Sequence, residues 1–365
     1  MALRRRDFLA GLAAFPLVGN SACADVGNVA DCASLGDIAA SRSMFFGSAF
    51  DIGVIEDPNF RALYAHQARI LTTNLSMKFW SLRPEEDRTQ FARADRLVDF
   101  ALANQIALRG HNLIWNEWNP PWVKKLSSAR REYWLDRHVD EVVTRYAGRV
   151  HSWDVVNEPF WPGHHKAGGF RDGPWFEAMG KDYIRRAFLR AERADPGAKL
   201  ALNESGPEWT DPGTEIIRAG LLRQIDEIRD AGGRVDIIGL ECHWMAQNHF
   251  DASRFSDYLA RLREKNVEIY ITEIDIDDDR MPDDIAERDE LVAKRYSELL
   301  LVALREPAVK AVITWDLIDP LSWYPSVYPR PSGSQRQPRP LLFDAKLQPK
   351  ASYRAVADAL RSRVS

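Results

Sequence analysis

Cysteine, long apolar runs and an excess of one charge sign are all scarce in this sequence. Only 3 of the 365 residues are cysteines, which is too few for a disulfide framework. No stretch approaches the roughly 18 consecutive apolar residues of a bilayer-crossing helix, so we expect no membrane span in the mature protein. The 49 basic and 53 acidic residues nearly balance, which argues against a nucleic-acid-binding protein.

Apolar residues and tryptophan are abundant. Apolar residues make up 45% of the chain, enough to bury a large core and to exclude low-complexity disorder. The chain is longer than an ordinary domain of about 100–200 residues, but a (β/α)₈ barrel alone occupies about 250 residues or more. The 12 tryptophans suit a core, an interface or a sugar-binding site, and composition does not choose between them.

The N-terminal segment resembles a secretion signal. Arginines at positions 4–6 precede an apolar stretch from Phe8 to Val18, and Ala22-Cys23-Ala24 forms an A-x-A-like cleavage site. Arg5-Arg6 followed by Asp7-Phe8-Leu9 fits the twin-arginine pattern of exported bacterial proteins. We therefore predict a signal peptide over residues 1–24, a mature protein over 25–365, and export to the periplasm or beyond. Lipidation of Cys23 is disfavoured by the residues before it, and a basic amphipathic N-terminus is the simpler alternative.

Short apolar segments alternate with amphipathic ones along the rest of the chain. In 91–102, for example, apolar residues recur at i, i+3, i+6, i+7, i+10 and i+11, which is one face of a helix. Eight strands alternating with helices predict an α/β fold with a single (β/α)₈ barrel. An open doubly wound sheet is the rival, but no G-x-G-x-x-G follows the first strand. The eight predicted strands are Met44–Phe50, Arg69–Leu75, Ile106–Trp115, Val150–Asn157, Lys199–Asn203, Val235–Cys242, Val267–Ile274 and Val309–Trp315.

Polar residues follow most of these strands where the strands end. In a barrel the carboxyl ends of the strands meet at one rim, where active sites are built. Buried carboxylates are costly without partners, so packing alone does not explain their convergence. These strand-end residues are His111, Asn157, Glu158, Asn203, Glu204, Glu241, His243, Glu273 and Asp316.

A pair of carboxylates at one rim suggests glycoside hydrolysis. One carboxyl group must stay protonated near neutral pH to donate to the leaving oxygen, and the other must stay ionised to attack the sugar or activate water. Glu158 and Glu273 are the candidates. Trp115, Trp315 and Trp323 can present flat faces to a sugar ring.

Several motifs resemble glycoside hydrolase family 10, the endo-β-1,4-xylanases. They are WDVVNEP at Trp153–Pro159, Arg109-Gly110-His111 with Leu113 and Trp115, and ITEID at Ile271–Asp275. The similarity runs in order from about residue 45 to 353. It implies a retaining barrel enzyme with Glu158 as acid/base and Glu273 as nucleophile. It also implies that Asp275 orients His243 and that the sugar contacts are Lys78, His111, Trp115, Asn157, Glu241, His243, Trp315 and Trp323.

The chain departs from the family motifs at the glycone site, where the family binds the sugars on the non-reducing side of the cleaved bond. The usual Glu-Asn-x-Met-Lys appears as Asn74-Leu75-Ser76-Met77-Lys78, a usual glutamine is replaced near Trp118, and another is Glu241. Each lost hydrogen bond costs about 1–3 kcal/mol if the sugar hydroxyl stays unpaired. An additional carboxyl group at Glu241 should raise one pKa of its pair with Glu273.

Other clusters are weaker candidates for chemistry. His164, His165 and His249 lack the spacing of a zinc site, and Asp275–Asp279 lacks EF-hand spacing. We expect no metal or organic cofactor, a monomer, and a polysaccharide or oligosaccharide substrate, with no nucleic-acid partner. The leading hypothesis is an endo-β-1,4-xylanase-like hydrolase. The alternatives are an enzyme for another β-glycan or a bacterial exopolysaccharide, and a carbohydrate-binding protein without turnover.

Overall fold

A computed structural model describes residues 32–54, 56–245, 249–324 and 336–363. The predicted signal peptide, residues 1–24, lies outside the described residues. No helix in the described ranges is long and apolar enough to cross a membrane.

The central feature of the fold is a closed barrel of eight parallel strands. Going around it, the hydrogen-bonded order is β1, β2, β3, β5, β6, β7, β9 and β10, and β10 pairs with β1 to close the ring. This confirms the predicted (β/α)₈ barrel. The strands are β1 (Phe45–Phe50), β2 (Ile70–Thr73), β3 (Ala107–Gly110), β4 (Ile114–Trp115), β5 (Ser152–Asn157), β6 (Lys199–Glu204), β7 (Ile237–Leu240), β8 (His243–Met245), β9 (Glu268–Asp277) and β10 (Val309–Thr314).

Two predicted strands end early in the structure, and a short strand follows each of them. The third is interrupted after Gly110 and resumes as β4, which pairs with β5. The sixth ends at Leu240, because Cys242 adopts a left-handed φ of 58° that ordinary strand residues avoid. The chain then resumes as β8, which pairs with the last residues of β9. This pairing extends β9 to Asp277, beyond the predicted end.

Helices alternate with the barrel strands and cover them. The predicted apolar stripe of 91–102 forms α4, with Ala94, Leu97, Val98 and Ala101 buried. Leu102 is 49% exposed because it lies at the edge of that stripe. The helices are α1 (Leu35–Ala40), α2 (Pro58–Gln67), α3 (Phe79–Leu82), α4 (Ala92–Ala103), α5 (Pro121–Lys124), α6 (Ser128–Arg145), α7 (Pro174–Met179), α8 (Asp182–Ala194), α9 (Thr214–Asp230), α10 (Ala252–Glu264), α11 (Ile285–Ala303) and α12 (Ala351–Ser362).

The barrel interior changes from apolar to charged along its axis. Near the amino ends of the strands, Ile70, Ala107, Ala201, Ile237, Tyr270, Ala311 and Ile313 form a buried cluster. Above it, Arg109 forms an ion pair with Asp154, and both side chains are buried. Removing one partner of such a pair leaves an uncompensated charge and costs about 3–5 kcal/mol. The charged layer supports the rim where the candidate catalytic residues lie.

Candidate active site

Glu273 is held by polar contacts on both carboxylate oxygens. It lies within β9 and is almost completely buried. Its Oε1 accepts a hydrogen bond from Asn203 Nδ2 at 2.8 Å, and its Oε2 lies 3.2 Å from His243 Nε2. Burial alone would raise the pKa of Glu273, but the His243 hydrogen bond and the nearby positive charges lower it below its ordinary value. The carboxylate is therefore ionised near neutral pH.

Asp275 lies within hydrogen-bonding distance of the imidazole of His243. His243 Nδ1 lies 2.8 Å from Asp275 Oδ1. Asp275 also accepts hydrogen bonds from Trp323 Nε1 at 2.7 Å and from the Tyr324 hydroxyl at 2.8 Å. Burial would lower the pKa of His243, yet Asp275 and Glu273 together raise it to about 10. A protonated His243 donates from one ring nitrogen to each carboxylate.

Glu241 is a buried carboxyl group beside Glu273. Its Oε1 accepts from Asn203 Nδ2 at 3.0 Å. Burial and the charges of Glu273 and Glu158 raise the pKa of Glu241 well above its ordinary value. This agrees with the expectation that one pKa of the Glu241–Glu273 pair rises. Glu241 and Glu273 thus contact the same asparagine, and their pKa values are shifted in opposite directions.

Glu158 immediately follows β5 and has a left-handed φ of 45°. Its Oε2 lies 2.6 Å from a terminal nitrogen of Arg171. Burial raises the pKa of Glu158, the Arg171 charge opposes this, and the Glu117 and Glu273 charges add to the rise. The pKa of this carboxyl group is therefore raised, whereas that of Glu273 is lowered.

Lys78 and His111 occupy the side of the rim formed by β2 and β3. His111 is buried, and its Nδ1 lies 2.9 Å from Asp154 Oδ2. The Lys78 ammonium lies 4.8 Å from the centre of the Trp115 ring and 5.6 Å from that of Trp315. Burial lowers the pKa of Lys78, while Glu273, Glu158 and Glu241 oppose the shift. The cation and the carboxyl groups therefore share one rim.

The chain is similar in sequence and in structure to one family of known proteins. The sequence model of glycosyl hydrolase family 10 matches residues 34–359. The chain belongs to glycosyl hydrolase family 10. It is therefore a glycoside hydrolase, and retention of anomeric configuration is general to the family.

Relatives and solved structures agree with this assignment. Endo-1,4-beta-xylanase B of Paenibacillus barcinonensis is 32% identical over 297 residues, covering 78% of this chain and 86% of that protein. Endo-1,4-beta-xylanase B of Thermotoga neapolitana is 29% identical over 297 residues, covering 81% of each. The crystal structure of xylanase 10B from Thermotoga petrophila RKU-1 in complex with xylobiose is 27% identical with a TM-score of 0.81, covering 91% of this chain and 98% of that one.

The structure brings the site residues predicted from the family 10 motifs to one rim. Trp323 lies 4.9 Å from the His243 ring, and Trp315 lies 5.2 Å from the His111 ring, measured between ring centres. Asn157 Oδ1 accepts a hydrogen bond from Asn203 at 2.8 Å. Trp315 is almost fully buried and faces the Lys78 cation, so its predicted stacking on sugar stays a prediction.

Asn203, one of the strand-end polar residues, is central to the site, although the family motifs gave it no role. Its Nδ2 contacts Asn157, Glu241 and Glu273, while its Oδ1 accepts from the Thr272 hydroxyl at 2.8 Å. An amide carries only two N–H donors, so these three acceptors compete for them. The one available signal was its polar side chain at the end of β6.

Three residues that depart from the family 10 glycone motifs, Asn74, Leu75 and Trp118, are partly or largely exposed. Leu75 is half-buried beside Asn74, whose Nδ2 lies 3.4 Å from Asp316 Oδ2. Trp118 is 55% exposed, and its ring centre lies 6.4 Å from that of Trp80. An apolar residue and an exposed indole therefore stand where the resemblance to family 10 implies hydrogen-bonding side chains.

Two of the histidines rejected as metal ligands contact residues outside the catalytic rim. His164 Nδ1 accepts from the Asp172 backbone N–H at 3.0 Å, and the His249 carbonyl lies 3.2 Å from the Thr210 hydroxyl. Among the described residues, Glu241, His243 and Glu273 place one ligand atom each within 4.8 Å of one another. Two of these residues, His243 and Glu273, form the 3.2 Å contact of the candidate nucleophile.

Proposed function

We propose that this family 10 enzyme hydrolyses internal β-1,4 linkages of xylan or a closely related polysaccharide by double displacement. The observation that carries the proposal is the pair of buried carboxyl groups with opposite pKa shifts. The pKa of Glu158 is raised and that of Glu273 is lowered. This separation assigns an acid and a nucleophile to the two residues. The xylanase names of the relatives support the substrate class.

The two chemical steps use the two carboxyl groups in turn. In the first, a Glu273 oxygen forms a bond to the anomeric carbon while Glu158 gives its proton to the departing sugar oxygen. In the second, the ionised Glu158 takes a proton from water, and the water oxygen displaces Glu273 from that carbon. Both steps need only these side chains and water.

The remaining predicted residues surround the reacting sugar. We assign hydrogen bonding of sugar hydroxyls to Asn157, His111 and His243, and contact with the next sugar to Lys78. Asp275 acts through His243, because it fixes the ring that faces Glu273. Glu241, Trp115, Trp315 and Trp323 complete the proposed sugar-binding surface.

Retention predicts the anomer of the first product. Proton NMR of xylohexaose hydrolysis should show the β-anomer of the new reducing end first, and the α-anomer should appear later by mutarotation. Two displacements at one carbon restore the starting configuration. Initial release of the α-anomer would overturn the double-displacement mechanism. Absence of any hydrolysis of xylan or xylohexaose would overturn the substrate assignment.

A second candidate substrate is another β-glycan or a bacterial exopolysaccharide. It is favoured by Leu75 and the exposed Trp118 at the glycone site. A panel of β-glycans, read by mass spectrometry of the products, separates the two candidates. Efficient hydrolysis of unsubstituted xylohexaose at ordinary enzyme concentration would argue against the second.

Restoring the family residues at the glycone site should improve xylan hydrolysis. We expect Leu75→Asn with Trp118→Gln to raise kcat/KM for xylotetraose by about tenfold or more, since each restored hydrogen bond contributes about 1 kcal/mol. Steady-state kinetics measures the change. Leu75→Asn with Trp118→Ala is the matched control, since it removes the indole without adding the amide. Equal kcat/KM in both double variants would show that the glutamine forms no useful contact.

We further propose that residues 1–24 direct export and that the mature enzyme is a monomer. Intact mass of the protein recovered from the periplasm should correspond to cleavage after Ala24. A lysine pair in place of Arg5 and Arg6 should retain the precursor in the cytoplasm, because the twin-arginine signal is read by its receptor. A lipid-modified Cys23 at the new N-terminus would contradict this cleavage site. Light scattering of the purified enzyme tests the monomer.

A further inference from the structure

Arg171 is a buried cation in contact with the candidate acid/base. It lies on the loop between β5 and α7, and only 5% of its side chain is exposed. Its Nε donates to the Glu158 carbonyl at 2.8 Å, and one terminal nitrogen lies 2.6 Å from the Glu158 carboxylate. Its backbone N–H also donates to the Pro159 carbonyl at 2.8 Å. These contacts fix both the backbone and the side chain of Glu158.

The other terminal nitrogen of Arg171 forms an ion pair with Glu117. Glu117 follows β4, and 42% of its side chain is exposed, compared with 16% for Glu158. One guanidinium is thus shared by two carboxyl groups. Burial raises the pKa of Glu158, the Arg171 charge opposes this, and the Glu117 charge adds to the rise, so Glu117 offsets part of the effect of Arg171 on Glu158.

We propose that Glu117 and Arg171 form a positioning pair for Glu158 that controls when it releases and recovers its proton. The proposal rests on the acid/base role assigned to Glu158 above. Before the first step Glu117 offsets the Arg171 charge, so Glu158 keeps its proton beside an ionised Glu273. During that step the proton leaves with the sugar alcohol, and the Glu273 charge is lost as its bond to the sugar forms. Arg171 then pairs with the new Glu158 carboxylate until that carboxylate takes a proton from water.

Other charged groups also face Glu158 and remain unchanged in the test. Glu273 and Lys78 act on it directly. Glu204, at the end of β6, faces both Glu158 and Arg171. Glu241 faces Glu158 as well. Because these groups are common to all variants, a difference between the pH profiles of the Glu117 and Arg171 variants can be attributed to the Glu117–Arg171 pair.

The pair predicts shifts of opposite sign in the pH profile. The alkaline limb of kcat/KM reports loss of the proton from the general acid of the free enzyme. In Glu117→Gln the Arg171 charge is no longer offset, so the limb should move to lower pH by about one unit, the lower end of the effect of a charge within about 4–6 Å. In Arg171→Met the limb should move to higher pH by at least as much.

Two controls separate this role from a structural one. Glu177→Gln removes a comparable ion pair with Arg131, whose atoms lie 2.7 Å apart, and should leave the limb in place. Glu117→Asp should restore part of the wild-type position. Limbs of Glu117→Gln and Arg171→Met that coincide with wild type, or that move in the same direction, would overturn the proposal.

A substrate-free measurement keeps the test independent of the proposed function. Carboxyl carbons of ¹³C-labelled glutamate can be titrated by NMR, with Glu158 assigned from Glu158→Gln. The Glu158 titration should move down in pH in Glu117→Gln and up in Arg171→Met. If wild type fails to cleave xylan while these shifts appear, only the substrate assignment fails. If wild type cleaves xylan and the titration does not move, the pair fails. Should Arg171→Met not fold, Glu117→Gln carries the same test.

Discussion

A Glu273→Ala variant is expected to lose xylan hydrolysis by a factor on the order of 10⁴ to 10⁶, the scale seen when a covalent nucleophile is removed. Glu273 is buried, and both its oxygens are held by Asn203 and His243. Glu241 is close, but its carboxyl group is buried, and burial is the largest cause of its raised pKa. We therefore do not expect Glu241 to substitute for Glu273. Release of reducing ends from xylan measures the loss.

Added azide should distinguish a lost nucleophile from a damaged fold. The anion can enter the space left by the Glu273 side chain and attack the anomeric carbon from the same face. One displacement on an aryl β-xylobioside then yields the α-azide, identified by NMR. Glu306→Ala is the control for folding, because Glu306 is a buried glutamate just before β10, at the other end of the barrel. Wild-type activity in Glu273→Ala, or a β-azide product, would contradict the assignment.

The barrel and its two principal carboxyl groups were predictable because their signals are local. Apolar segments of the right length mark the strands, and Glu158 and Glu273 interrupt or end such segments. An ionisable side chain at the end of a buried strand is costly, so its presence there indicates function. The ends of the strands were harder to predict, because they depend on contacts between segments. β8 is stabilised by its pairing with β9, and no periodicity within residues 235–245 reveals that partner.

The residues that tune the site were harder to predict because they meet only in three dimensions. Glu117 and Arg171 are far apart in the chain and lie on irregular loops, so neither has a hydrophobic pattern to position it. The Asn203 side chain contacts acceptor atoms from three other segments, and these contacts depend on the register of the strands in the barrel. The local sequence identifies the side chains that can take part in catalysis. The closed barrel determines which of these side chains lie close enough to shift one another's pKa values.

A Glu158→Ala variant is expected to lose activity according to the leaving group. With xylan, whose leaving group is a sugar alcohol, kcat/KM should fall by about 10²–10⁴, the usual contribution of general acid–base catalysis. With a dinitrophenyl β-xylobioside, whose leaving group needs no proton, the first step should stay close to the wild-type rate. The second step still lacks its base, so stopped-flow measurements should show a burst of dinitrophenolate followed by slow turnover.

Azide should again provide the deciding observation, now with the opposite product. In Glu158→Ala the covalent bond to Glu273 still forms, so azide attacks the intermediate from the other face and releases the β-azide. Azide needs no general base, and it should therefore raise kcat for the dinitrophenyl substrate. Equal losses for both leaving groups would mean that Glu158 acts only in binding, and an α-azide would mean that the two roles are reversed. The α-azide from Glu273→Ala and the β-azide from Glu158→Ala together assign each carboxyl group to one face of the sugar.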